Sequence, residues 1–117
     1  MRTHKDLEAW RASIELAEDI YGITRRFPKE ELFGLVSQMR RAAVSVASNI
    51  AEGAARNGKK EFAQFLHIAM GSASELDTQI EISKRTQLHG QDDLQRVQDR
   101  VTRVKKLVYG LIRSLRA

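Results

Sequence analysis

Residues 48–62 read SNIAEGAARNGKKEF. The stretch opens as the end of one helix and closes as the start of another. Asn57-Gly58 is a strong turn signal, and Gly58 can take the left-handed conformation that closes a helix. Upstream, Leu32, Leu35, Val36, Met39, Ala43, Val46 and Ile50 recur at helical spacing, which predicts a helix over about residues 28–55. Downstream, Phe62, Phe65, Leu66, Ala69, Ala73, Leu76 and Ile80 predict a second one from about Lys59, with Gly90 as its break.

The same pattern extends to both ends of the chain. Leu7, Trp10, Ile14, Ala17, Tyr21, Thr24 and Phe27 step by three and four along a first helix. Pro28 disfavours helical geometry at Phe27 and suits the first turn of the next helix, where Glu30 and Glu31 complement the dipole. Leu94, Val97, Val101, Val104, Val108, Leu111 and Leu115 mark a fourth helix from about Gln91. Four helices of roughly 20 to 28 residues, about 30 to 42 Å at 1.5 Å per residue, joined by short loops, predict an all-α, antiparallel up-down-up-down four-helix bundle. The 117 residues form one domain, with no repeat or linker.

Composition excludes several classes. With 42% apolar and 30% charged residues the chain belongs among globular proteins. It has no Cys, hence no disulfide framework, thiolate nucleophile or thiolate metal site. No apolar run approaches a membrane span, and the N-terminus does not resemble a signal peptide; the expectation is a cytoplasmic protein without a membrane partner. Glu-x-x-His pairs of di-metal bundles are absent, as are phosphate-binding glycine loops and nucleophile motifs. Neither metal, cofactor nor catalytic residue is expected. The remote exception is an Arg–His ribonuclease arrangement at Arg85 and His89, where only three residues intervene and the histidine falls past the helix end.

Charge is distributed in blocks. Residues 1–31 carry six Lys/Arg against seven Asp/Glu, residues 32–60 five against one, residues 61–90 two against four, and residues 91–117 seven against three. Of the net charge of +5, each basic block holds +4. From residue 100 to 116 the fourth helix carries Arg100, Arg103, Lys105, Lys106, Arg113 and Arg116 with no acid among them. Such a helix suits counterion release from a nucleic-acid backbone. Tyr109 is its one aromatic, too sparse an interleaving for base stacking. Candidate nucleic-acid-binding residues are therefore Arg56, Lys59, Lys60, Arg100, Arg103, Lys105, Lys106 and Arg113.

The second helix has another face. Arg41, Ser45, Ser48, Asn49, Glu52 and Arg56 lie opposite its apolar stripe, a small and mixed set where a solvated face would carry long charged residues. In the third helix His67, Gly71, Ser74, Thr78 and Arg85 repeat the pattern, and Gly71 costs about 1 kcal/mol in mid-helix unless something approaches closely. These faces suit contact with a neighbouring subunit. Arg40, Arg41, Ser45, Asn49, Glu52, Gly71 and Ser74 are the candidate structural or subunit-interface residues, with Ser48, Asn49 and Glu52 expected to meet Arg40 or Arg41 of the same or a neighbouring subunit.

DLEAW, IYGITRRFPKEELFGLVSQMRRAAVSVASNIAEGAAR and EFAQFLHIAMGSASELDTQ together resemble the four-helix-bundle family encoded by intervening sequences in bacterial 23S ribosomal RNA genes. The match covers the chain to about residue 86, with the fourth helix similar in character. The family pattern falls on Trp10, Tyr21, Phe27, Pro28, Gly34, Leu35, Gln38, Arg40, Arg41, Ser45, Asn49, Glu52, Gly53, Arg56, Gly71, Ser72, Glu75 and Leu76. Ala47 departs from it, since many relatives have Pro there, which implies a straighter second helix. The resemblance implies a homopentamer with a basic surface and no established enzymatic activity. A related accessory protein of diversity-generating retroelements is implied to bind nucleic acid and a reverse transcriptase. The expectation is a non-enzymatic oligomer binding RNA or DNA electrostatically. The alternative is a scaffold or accessory subunit whose basic surface meets an acidic protein partner.

Overall fold

The computed structural model describes residues 3–116. Four helices, α1 (Glu8–Thr24), α2 (Ser37–Ala54), α3 (Lys59–Arg85) and α4 (Gln91–Ser114), form the expected all-α bundle, 44 × 22 × 19 Å. Cross-helix pairs fix the antiparallel order. Arg40 reaches Thr24, Ser45 meets Ser72, Gln98 reaches Asp77 and Glu81, and Arg103 reaches Glu8. Both the α2–α3 turn and the C-terminal end of α4 therefore lie at one end of the bundle.

The core is a heptad-like seam on each helix. It comprises Met39, Ala43, Val46 and Ile50 of α2, Leu66, Ala69, Ala73, Leu76 and Ile80 of α3, and Leu94, Val97, Val101, Val104, Val108 and Ile112 of α4. On α1 the buried line is Ala9, Ser13, Leu16, Ile20, Ile23 and Thr24, continued by Phe27 beyond the helix end; Thr24 and Phe27 are buried as expected, and the rest of the line is rotated from the expected stripe. Ser13 enters the core because its hydroxyl donates to the Trp10 carbonyl at 2.7 Å, so its oxygen is not left unsatisfied. The wide ring of Trp10 packs at the flank, and Tyr21 stays 38% exposed. A similar shift at the end of α4 buries Ile112 where the spacing points to Leu111, with Leu111 half-buried.

Helix α2 does not begin at Pro28. The chain makes a 3-10 turn at Lys29–Glu31 and a wide π-type turn at Leu32–Val36, inside which Gly34 leaves helical geometry (φ −106°, ψ −107°). The extra residue that a π turn inserts rotates what precedes it out of phase. Leu32, expected in the core, is 48% exposed, and Phe33 is 92% exposed. The break thus lies at Gly34, and α2 runs through the buried Ala47 without interruption.

The loop glycines act differently from expectation. Gly58 is extended (φ −129°, ψ 151°) and starts α3. Gly90, also with negative φ, precedes α4. The left-handed residue that closes α3 is Gln87 (φ 56°), followed by a Leu88 N–H donating to the Ser83 carbonyl at 3.0 Å, the hydrogen bond of a Schellman motif.

Candidate nucleic-acid interface

The expected basic helix divides into two halves with different electrostatics. In its N-terminal half the arginines reach across to the acids of α1. Arg100 Nη1 lies 2.7 Å from Asp19 Oδ2, Arg96 Nη1 3.5 Å from Asp19 Oδ1, and Arg103 Nη2 donates to Glu8 Oε1 at 2.7 Å. Asp19 Oδ2 is shut off from solvent and lacks a well-aligned donor, so its short contact with Arg100 is electrostatic rather than a good hydrogen bond. Arg96 also stands 3.7 Å from Asp93. Residues 100–116 contain no acid of their own, but the antiparallel packing supplies acids from another helix.

Beyond Arg103 no such compensation is found among the described residues. Among the described residues, Lys105, Lys106, Arg113 and Arg116 enter no ion pair, and Arg113 lies near the ring of Tyr109, its guanidinium carbon 5.9 Å from the centroid. Extending the Gln98–Asp77 register along the pair brings the last turns of α4 level with the first turns of α3, where Lys59 and Lys60 lie. Lys60 is exposed and also without an ion pair among the described residues. Arg56 is at the same end, held over Phe65 at 4.9 Å and flanked by Glu52 at 3.6 Å and Glu61 at 3.9 Å. Of the eight candidate contacts, Arg100 and Arg103 are thus engaged by α1, Arg56 is partly neutralised, and Lys59 also has an interaction of its own. Lys60, Lys105, Lys106 and Arg113 keep their charge for an external anion. Arg116, left out of that set, belongs with them.

Of the small-polar stripe of α2, Ser45 and Asn49 are half-buried beside α3, while Arg41, Ser48, Glu52 and Arg56 are exposed. Asn49 Nδ2 donates to the Ser45 carbonyl at 2.8 Å and to Ser45 Oγ at 3.0 Å, and Ser45 Oγ shares a 2.8 Å hydrogen bond with Ser72 Oγ. Glu52 is exposed and turned to Arg56. Neither meets Arg40 or Arg41 within the chain. Arg40 faces α1 instead, its Nε donating to Thr24 Oγ1 at 2.9 Å and its guanidinium 4.7 Å over Tyr21. Arg41 is exposed and lines a cleft with Gln38, Ala42, Ser45 and Glu75.

Within the chain, the close approach to a glycine occurs at Gly53 and not at Gly71. A Cβ on Gly53 would lie 2.8 Å from Phe65 Cβ, 2.9 Å from Phe62 Cδ1 and 3.1 Å from the Phe62 carbonyl, whereas one on Gly71 would meet nothing within 4 Å. Gly71, Ser74 and His67 are all exposed on α3, which also shows Ile68 and Ile82 at 51% and 46% exposure. Mid-helix position alone does not distinguish the two glycines.

Arg85 and His89 each have a local partner. Arg85 Nε donates to Glu81 Oε2 at 3.0 Å, which with a hydrogen bond from Gln98 holds the Glu81 carboxyl below its usual range. His89 stacks on Phe27 (centroids 5.7 Å apart) and places Nε2 2.9 Å from Asp93 Oδ2. That hydrogen bond lowers the Asp93 carboxyl. Among the described residues no group of three or more His, Asp or Glu could hold a metal, and no helix is long and apolar enough to cross a membrane.

Comparison with known proteins agrees with the resemblance and extends it. The model of the 23S rRNA-intervening sequence protein family matches residues 5–110, so the likeness continues through most of α4. A crystal structure of a protein of unknown function from the S23 ribosomal protein family of Bacteroides thetaiotaomicron is similar in fold. It has a TM-score of 0.80 and 22% identity, over 89% of this chain and 97% of that one. No curated protein matches significantly. With the family model reaching all four helices, the chain belongs to the 23S rRNA-intervening sequence protein family.

Proposed function

We propose that this protein is a non-enzymatic, self-associating bundle of the cytoplasm that binds RNA or DNA backbones at its basic end. The observation carrying the nucleic-acid part is the set Lys60, Lys105, Lys106, Arg113 and Arg116, which runs from mid-bundle at Lys105 and Lys106 to the end that holds the α2–α3 turn, and which enters no ion pair among the described residues. Uncompensated cations bind phosphates and release counterions, giving affinity that falls steeply with salt and does not depend on sequence. Cations already matched by Asp19 and Glu8 contribute less, because binding a phosphate must first displace a carboxylate. Fluorescence anisotropy of labelled RNA and DNA oligonucleotides over a salt series tests the reading. A linear fall of log affinity with log salt supports it; salt-independent or undetectable binding overturns it.

Self-association is supported by uncovered apolar surface on the second and third helices. Val44 of α2 and Ile68 and Ile82 of α3 are each more than 40% exposed, and Gly71, one turn from Ile68, leaves open space beside it. Apolar surface with room for close approach suits a second helix, and the pentamer number comes from the family resemblance. Light scattering at micromolar concentration that gives a monomer mass would refute it.

A second reading is a scaffold for an acidic protein partner. It is favoured by the groove of about 700 Å³ between α1 and the π turn, walled by Tyr21, Leu32, Phe33 and Val44 and edged by Arg40 and Arg41.

A further inference from the structure

The basic end offers more than charge. Along α4, Lys106, Tyr109 and Arg113 follow one another at steps of three and four and are all exposed, so they form a single outward line with an aromatic ring set between cations, and the exposed Arg116 follows just past the helix end. Tyr109 is 48% exposed, a large figure for a ring on a bundle helix whose neighbour Val108 is 1% exposed. The Arg113 guanidinium, at 5.9 Å, is at the outer limit of cation–π contact and leaves much of the ring uncovered. Next to it Gly110 has nothing within 4 Å of where a Cβ would be, so the surface beside the ring is open. By count Tyr109 is an isolated aromatic; the register of α4 places it in the middle of the cations.

We infer that the preferred ligand of this surface is single-stranded nucleic acid, with one unpaired base stacked on Tyr109 and the neighbouring phosphates held by Lys106, Arg113 and Arg116. The inference rests on the nucleic-acid reading above and narrows it. Single-strand binding surfaces combine a cationic track with aromatic platforms, because an unpaired base has a free π face and a duplex hides its own. A helix that only met duplex phosphates would gain nothing from an exposed ring among its cations. The base needs no hydrogen-bonding partner on the ring, so the stacking tolerates any sequence.

The test uses the full chain with a fluorescein-labelled single strand of about 15 nucleotides, long enough to span one such site, and the same sequence as a duplex, at matched salt. The wild type binds the single strand more tightly. Tyr109→Ala weakens single-strand binding roughly 5- to 150-fold, the loss of one base–aromatic stack, and leaves duplex binding and the salt slope unchanged. Tyr109→Phe retains the ring and binds as wild type, which separates stacking from a hydroxyl contact or a folding defect. Equal binding of both ligands with no effect of Tyr109→Ala overturns the inference while leaving the backbone-binding reading intact. No binding of either ligand overturns both.

Discussion

Arg100 Nη1 and Asp19 Oδ2 lie 2.7 Å apart across the α1–α4 seam, and that pairing divides the basic face of α4 into a neutralised half and an open one. Asp19 also stands 3.5 Å from Arg96, so one carboxylate restrains two guanidinium groups. Asp19→Asn is expected to release both. The fold loses about 0.5 to 2 kcal/mol of stability, read from urea denaturation, while affinity for RNA rises several-fold at low salt. A variant that loses stability without gaining affinity would mean that Arg96 and Arg100 do not face the ligand.

Gly53→Ala forces a methyl group against Phe65 Cβ and the Phe62 backbone, where only small displacement is possible. A cost of about 1 to 3 kcal/mol is expected. Gly71→Ala makes no new contact in the chain and removes a glycine from mid-helix, so under dilute conditions that keep the bundle monomeric it should stabilise the fold by about 0.5 to 1 kcal/mol. Thermal melts of the two variants side by side check the opposite signs.

The hydrogen bond between Ser45 and Ser72 joins α2 to α3, and Asn49 braces it from the α2 side. A double-mutant cycle on Ser45→Ala and Ser72→Ala should give a coupling of about 0.5 to 1.5 kcal/mol. Additive effects of the two substitutions would show that the hydroxyl pair does not hold the seam.

The fold was legible in the sequence because apolar residues at steps of three and four specify helices, and α3 and α4 begin at the expected residues, Lys59 and Gln91. What stayed hidden depends on contacts between distant residues. Gly34 is the one local signal in LFGLV and does not by itself specify a π turn, so spacing alone puts Leu32 in the core; nothing in residues 100–116 reveals that Glu8 and Asp19 lie alongside. Ser13 falls outside the apolar pattern because its hydrogen bond to the Trp10 carbonyl, which lets it be buried, is visible only in three dimensions.

Glu81 and Asp93 are both held below the ordinary carboxylate range, chiefly by hydrogen bonds from Arg85 and His89 respectively. A depressed folded-state value contributes stability above the unfolded-state value, near about pH 4, and that contribution is lost as pH falls through the folded-state value. The urea midpoint should therefore drop as pH is lowered from neutral to below the carboxylate range, and less steeply in Glu81→Gln and Asp93→Asn. Both groups are exposed, so the effect is expected to be modest, and variants with the wild-type pH dependence would remove these carboxylates from the explanation.

The division of the basic face is tested most directly by two sets of substitutions compared across one salt series. Lys60→Ala, Lys105→Ala, Lys106→Ala and Arg113→Ala together remove unpaired cations; Arg100→Gln and Arg103→Gln remove paired ones. The first set is expected to flatten the plot of log affinity against log salt by roughly one unit of slope for each phosphate no longer neutralised, while the second leaves the slope nearly unchanged. Equal flattening by the two sets, or wild-type slope in the first, would contradict the assignment of nucleic-acid binding to the open end of the bundle.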